Sequence, residues 1–334
     1  MRAGYYTGDF QYEVRNDPDR EPQGREGKIE VAWCGLCGTD VHKFQGKNGA
    51  RPVIPPIILG HECSGIVTAT GPDCKHFKPG DRVACDPSWG CGVCEWCQKG
   101  FPNFCIERKG VAKGFADYVF PPEENVYHIC DELDLETAAF TEPLSCVIHG
   151  LDLISPESGK NIVLYGMGAI GALMLQLLHK TAPRHLIVVE REEEKRALAK
   201  KLGATLAVTD QEIEEAVKDI NVDYVVECIG LSTTMEQALR VAGKGAKVLL
   251  FGLGNPNEPI SFYQYEAYLK ELSVYTSFLN PHTTARAITL LESGQINTSD
   301  LISARLELEE MGEELKNLTY SRKGKVMVRL SGKR

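Results

Sequence analysis

The chain has 334 residues, of which 43% are hydrophobic and 25% charged, and it carries a formal net charge of −9. That length exceeds one ordinary core and predicts two domains. The acidic balance argues against a surface devoted to nucleic acid or anionic membrane, and the opening MRAGYYTGDFQYEV has no apolar run of the kind that targets secretion, so small-molecule partners and a cytoplasmic location are expected.

In chain order, the first ~145 residues are dense in Gly, Pro and Cys. They hold short β-rich runs at 28–33 (KIEVAW), 65–70 and 81–85, which predict a compact, irregular, mostly β domain. Within it, Cys37 opens CGTDVH, and Gly60-His61-Glu62 follows at a distance. A thiolate, an imidazole and a carboxylate on separate loops can form a three-ligand zinc site with a fourth position open for water or substrate, where zinc acts as a Lewis acid towards an alcohol. Spacing alone leaves Cys34 in competition with Cys37 as the thiolate.

Cys91, Cys94, Cys97 and Cys105 then form C-x2-C-x2-C-x7-C. Four thiolates on one short loop can close a tetrahedral zinc site with no open position, which folds the loop rather than performing chemistry. The alternatives are two disulfides or four unrelated buried thiols. Twelve cysteines without a secretion signal fit a reducing compartment and favour the metal. Next, LETAAFTEPLSCVIHGLDLI reads as a helix broken around Pro143, with the acid Glu142 at the break.

From Asn161 the chain alternates between strand-like and helical segments: NIVLYG, AIGALMLQLLHK, HLIVVE, EEEKRALAKKLGA, ATLAVTD, DQEIEEAVKD, DYVVECIG, TTMEQALRVA and AKVLLFG. Regular alternation with short apolar strands predicts a doubly wound parallel sheet. Residues 162–178 are uncharged and near the length of a membrane span, but Gly166, Gly168 and Gly171 interrupt them, so strand, turn and buried helix is the better reading. Gly166-Met167-Gly168-Ala169-Ile170-Gly171 is G-x-G-x-x-G between a predicted strand and a predicted helix, a cradle for a pyrophosphate. Glu190, at the end of the next strand, is placed to bind the adenosine ribose diol and repel a 2′-phosphate. NAD is therefore expected over NADP, although Arg191 beside it could hold that phosphate.

The last ~50 residues hold the helix ARAITLLESG, an acidic helix LEEMGEELKNL and a strand KVMVRL. That strand cannot extend the parallel sheet without another crossover, so it is expected to return to the first domain. The expected domains are 1–147 with 284–334, and 148–283.

Together, CGTDVH (37–42), GHECSG (60–65), KPGDRV (78–83), the four-cysteine loop, TEPLSC (141–146), GMGAIG (166–171) and KVMV (325–328) resemble the zinc-dependent medium-chain alcohol dehydrogenases, in particular the sorbitol (polyol) and threonine dehydrogenase branch. The resemblance runs nearly end to end. It implies an α/β fold in which a GroES-like, β-rich catalytic domain with two zinc sites accompanies a Rossmann NAD-binding domain. It also implies Cys37 rather than Cys34 as the ligand, with His61 and Glu62. Glu142 then matches the glutamate that marks the polyol branch, either as a direct ligand or holding a metal-bound water. Thr39 matches the hydroxyl that accepts the substrate proton, and His42 the histidine that passes it on.

Two departures stand out. The segment between Cys105 and GFADYV (114–119) is shorter than in the family, and it helps wall the substrate pocket. Position 190 carries Glu where many relatives carry Asp. The expected function is zinc-dependent hydride transfer between NAD and a secondary alcohol of a polyol-like substrate, or the corresponding ketone. Other candidate substrates are threonine, a butanediol, an amino-cyclitol or a sugar phosphate. A non-catalytic zinc- and nucleotide-binding protein is the alternative from another class. Two zinc ions per subunit, NAD, and a homodimer or homotetramer complete the expectation.

Overall fold

A computed structural model describes residues 1–47 and 52–331. The chain divides into two compact units, Met1–Ser145 with Asn280–Arg334, and Cys146–Leu279. The divisions fall a few residues before the expected 147/148 and 283/284.

The first unit is built on a mixed sheet. Its strands run in the order Val126–His128, Arg82–Cys85, Glu62–Thr70, Gly27–Gly35, Lys325–Arg329, Ile302–Glu307, and Tyr118–Val119 also pairs with Gly27–Gly35. Gly27–Gly35 is central and reads KIEVAWC between two glycines; its β-branched and aromatic content suits a strand buried on most positions. Lys325–Arg329 lies antiparallel beside it, so the terminal strand does return to this unit. Ile29, Val31, Val67, Val83, Phe115, Val326 and Val328 fill the core. A smaller sheet, Gln11–Asn16, Arg2–Gly8 and Ile57–Ile58, includes an N-terminal hairpin that the sequence reading did not resolve.

The second unit carries a six-stranded parallel sheet. Its order is Leu206–Val208, His185–Val189, Asn161–Tyr165, Tyr224–Glu227, Lys247–Leu250, Ser273–Thr276. In chain order that is 3-2-1-4-5-6, the doubly wound dinucleotide-binding arrangement. The order reverses at Asn161–Tyr165, which places the turn after that strand at the switch point where ligands bind. Val163, Tyr165, Ile187, Val189, Val225 and Val248 are almost fully buried, as strands covered on both faces require. No helix among the described residues is long and apolar enough to cross a membrane.

Two expectations are corrected. The helical segment around Pro143 is not broken there. One turn, Leu135–Ala138, ends first, and Pro143 sits in the first turn of Thr141–Ile154, where the missing N–H costs no intrahelical bond. The parallel sheet has six strands rather than the five read from sequence. The sixth, Ser273–Thr276, is a short, largely exposed edge without a buried apolar run to announce it.

Candidate metal and cofactor sites

Cys37, His61 and Glu62 converge: each offers one ligand atom, and these atoms lie within 4.8 Å of one another. Local structure explains the convergence. Cys37 is the N-cap of the helix Gly38–Phe44, its sulfur accepting from the Thr39 N–H at 3.5 Å. His61 and Glu62 enter the strand Glu62–Thr70 just after Gly60. That glycine has φ +79, and a Cβ there would stand 2.4 Å from the Phe115 ring, so the turn admits only glycine.

Asp40 ties the two ligand segments together. It is fully buried, and one carboxylate oxygen accepts from Gly60 N–H at 3.0 Å and faces His61 Nδ1 at 3.4 Å. The other oxygen accepts from Cys37 N–H at 3.3 Å. Burial alone would push the Asp40 carboxyl up, but the His61 ring and the Gly60 N–H bring it down to about 2. A carboxylate that orients a ligating histidine is the usual outer support of a metal site. The sequence reading missed Asp40, and its signal was modest: it is the third helical residue after the Cys37 cap, closing a capping box.

A thiolate, an imidazole and a carboxylate at this spacing are the donor set and ligand count of a zinc site with one position left open. Cys34 is not among them. It lies inside the strand Gly27–Gly35, is fully buried, and stands opposite Cys63. Glu142 lies outside the three-residue cluster, in the first turn of Thr141–Ile154, and is nearly buried. Burial pushes its carboxyl up to about 7; the His61 ring opposes the rise and Glu62 adds to it, so Glu142 lies within electrostatic reach of both ligands.

Cys91, Cys94, Cys97 and Cys105 form the second group, their sulfurs also within 4.8 Å of one another. Backbone N–H groups point at the sulfurs: Cys91 N–H donates to Cys105 Sγ and Cys94 N–H to Cys91 Sγ, each at 3.3 Å. Backbone donation from around Cys97 helps hold the Cys94 thiol down to about 6, which favours the ligating thiolate. All four donors are sulfur, and among the described residues no histidine or carboxylate joins the group, which fits a closed structural zinc site.

In the second unit, the strand Asn161–Tyr165 leads into Gly166, with φ +93. Gly168 caps the helix Ala169–Lys180 in extended conformation, and a Cβ on it would meet nothing within 4 Å, so open space lies against the turn. Ala169 and Ile170 begin that helix, where N–H groups lack intrahelical partners and suit an anion. A Cβ on Gly171 would stand 2.0 Å from Gly166 O, which accounts for the third glycine as a packing requirement. Glu190 follows the strand His185–Val189, and its Oε2 accepts from Met167 N–H at 2.9 Å, bringing the acid to the glycine turn. These features fit the pyrophosphate and ribose of a dinucleotide. Arg191 instead pairs with Asp210 at 2.9 Å.

Comparison with known proteins agrees with both units. Residues 23–131 match the model of the alcohol dehydrogenase GroES-like domain, and residues 169–293 that of the zinc-binding dehydrogenases. D-arabinitol dehydrogenase 1 of Uromyces fabae is 31% identical, with 90% of this chain and 89% of that one covered. Sorbitol dehydrogenase of Bacillus subtilis (strain 168) is also 31% identical, with coverage of 93% and 91%. A structure described as a zinc-binding dehydrogenase from Sinorhizobium meliloti 1021, bound to NADP, superposes with a TM-score of 0.92 at 33% identity, covering 98% of each chain. With its three-ligand cluster, four-cysteine loop and dinucleotide-binding sheet, the chain belongs to the zinc-type alcohol dehydrogenase family.

Proposed function

We propose that the protein oxidises a secondary alcohol of a polyol with NAD, in a reducing compartment such as the cytoplasm. The observation that carries this reading is the meeting of Cys37, His61 and Glu62, with Glu142 in electrostatic reach of them. The D-arabinitol and sorbitol dehydrogenases among the relatives support the polyol class.

Cys37, His61 and Glu62 would hold a zinc ion, whose chemistry there would be Lewis acidity towards an alcohol oxygen, and the glycine turn would hold a nicotinamide dinucleotide, whose chemistry would be hydride acceptance. The remaining work falls to side chains of the chain. Asp40 fixes Cys37 and His61 against each other. Thr39 and His42 are three residues apart on the helix Gly38–Phe44, so they share a face and offer a hydroxyl and an imidazole for moving the substrate proton. Burial, and then Lys47, hold the His42 ring below its ordinary 6.5, so at pH 7 it is neutral and able to accept that proton. Glu142 adds an acid able to orient a water or a substrate hydroxyl.

NAD is favoured because Glu190 stands at the glycine turn. The test is cofactor reduction with NAD and NADP against sorbitol, arabinitol, threonine and 2,3-butanediol. Turnover of polyols with NAD is expected. Turnover of threonine or butanediol alone would move the substrate class, and zinc and nucleotide binding without any turnover would favour a non-catalytic protein.

We also infer assembly with a second copy. Ser273–Thr276 is the edge of the parallel sheet, with Val274 46% exposed. The preceding helix Gln264–Lys270 buries none of its residues and exposes Tyr265, Tyr268 and Leu269. A two-fold axis would pair this edge antiparallel with itself and cover that apolar surface. Sedimentation should give a dimer or tetramer for the wild type and a smaller species for Val274→Pro; a monomeric wild type would rule the assembly out.

A further inference from the structure

Two adjacent side chains of opposite charge follow the strand His185–Val189, and they would respond oppositely to a phosphate on the ribose 2′ position. Glu190 is held inward. Its N–H donates to Val208 O at 2.9 Å, its Oε2 accepts from Met167 N–H at 2.9 Å, and its Oε1 accepts from Glu192 N–H at 3.0 Å. Arg196 fixes the corner between the two residues, its Nη1 donating to Glu190 O at 2.9 Å and to Arg191 O at 2.6 Å. Arg191 is drawn the other way. Its Nη2 meets Asp210 Oδ2 at 2.9 Å, with the side chains 67% and 30% exposed. Asp210 lies just beyond the neighbouring parallel strand Leu206–Val208, and its carbonyl accepts from Gln237 Nε2 at 2.8 Å, so the carboxylate projects from a tethered backbone.

We propose that Asp210 is a specificity-determining residue for the adenosine end of the cofactor: by holding Arg191 in an ion pair, it leaves Glu190 as the group that reads the ribose 2′ position. This rests on the assignment of Glu190 to the ribose. A guanidinium is the side chain best suited to a phosphate, because its planar fork can donate twice to one group. Left unpaired next to Glu190, Arg191 would offset the repulsion that Glu190 exerts on a 2′-phosphate. Paired with Asp210 it is largely neutralised, so the charge of Glu190 is left to act on the ribose 2′ position. Because the pair is exposed, its strength is modest and so is the discrimination it supplies.

The test measures binding of fragments that need neither zinc nor turnover. Calorimetric titrations with 5′-AMP and with adenosine 2′,5′-bisphosphate would compare the wild type, Asp210→Asn, Arg191→Ala and the double variant. The wild type should prefer 5′-AMP. Asp210→Asn should tighten the bisphosphate about fivefold, the scale of one exposed charge pair, and leave 5′-AMP within about twofold. That gain should vanish in the double variant, because Asp210 acts through Arg191. An unchanged bisphosphate affinity in Asp210→Asn, or a gain that survives loss of Arg191, overturns the proposal while leaving Glu190 in its role. A wild type that prefers the bisphosphate overturns the Glu190 assignment itself. Equal melting temperatures across the set would show that folding is not the variable.

Discussion

Lys325 and Glu62 form a buried ion pair, the ammonium against one carboxylate oxygen, with the residues 4% and 1% exposed. The pair joins the start of the chain's last strand to a candidate zinc ligand, across the intervening strand Gly27–Gly35. Gly35 makes the approach possible: a Cβ on it would lie 2.0 Å from Glu62 Oε2 and 2.9 Å from Lys325 Cε. Lys325 also donates to Leu36 O at 3.3 Å, tying it to the segment that leads into Cys37. Lys325→Met should therefore cost about 3 kcal/mol of stability, since removing one partner strands a buried charge. It should also weaken zinc retention, because Glu62 loses its anchor. Gly35→Ala should do similar damage by steric means. Urea titration and metal content of both variants check this; a Lys325→Met protein with normal stability and zinc would show that Glu62 needs no counter-charge.

Much of this arrangement was legible beforehand, for reasons visible in particular residues. The glycine turn and Glu190 were readable because a parallel sheet forces an apolar strand, three glycines and a helix into consecutive positions. Cys37, His61 and Glu62 were readable as chemistry, but their meeting depends on a helix cap and a strand entry that spacing cannot bring together. Asp40 and Lys325 fall inside motifs that were read, CGTDVH and KVMV, but their roles escaped notice for a related reason. Each is an ordinary charged residue in sequence, and its role comes from burial against a distant partner. The edge strand Ser273–Thr276 escaped because its exposed positions blur the alternation that marks a half-buried strand, whereas the hairpin strand Gln11–Asn16 does alternate polar and apolar residues and was legible but unread.

The four-cysteine loop has little core of its own. Val93 is 73% exposed, Phe101 48% and Phe104 47%, and Trp96 contacts Phe104 edge-on at 5.6 Å. Metal binding must then supply most of the folding free energy of the lobe. Cys94→Ser should release about one zinc per chain and lower the melting temperature, and chelator treatment of the wild type should produce aggregation through the loosened apolar lobe. Full zinc content and an unchanged melt in Cys94→Ser would refute the structural role.

Glu123 gives a pH prediction at a residue that belongs to neither metal group. It is 3% exposed and accepts from Lys75 N–H at 2.8 Å, His76 N–H at 3.1 Å and Arg25 Nε at 2.7 Å. Burial opposes its ionisation, but these donors outweigh it and bring the carboxyl from its ordinary 4.5 down to about 2. A group with a depressed folded-state pKa contributes stability that is present above its unfolded value and lost as pH falls towards the folded one. Glu123→Gln should therefore be less stable than wild type at pH 7, and the difference should shrink between pH 4.5 and about 2. A constant difference across that window would assign the loss to shape rather than charge.

Cys34 and Cys37 lie three residues apart, and the structure places them in different surroundings. Cys37 caps a helix with its sulfur beside His61 and Glu62. Cys34 is sealed in the sheet, where a Cβ on Gly114 would already stand 2.5 Å from its sulfur. Burial, and then Cys63, push the Cys34 thiol well above its ordinary range, so it stays a neutral packing group rather than a ligating thiolate. Cys37→Ser or His61→Ala should abolish turnover while the fold and nucleotide binding persist, because no other side chain in the cluster can replace the lost donor. Cys34→Ser keeps the size of the side chain but buries a hydroxyl, so it should lower stability by about 1–2 kcal/mol and leave zinc content and rate nearly intact. Metal analysis and NADH formation measured side by side decide the matter. If Cys34→Ser loses the catalytic metal while Cys37→Ser keeps it, the ligand assignment fails at its centre.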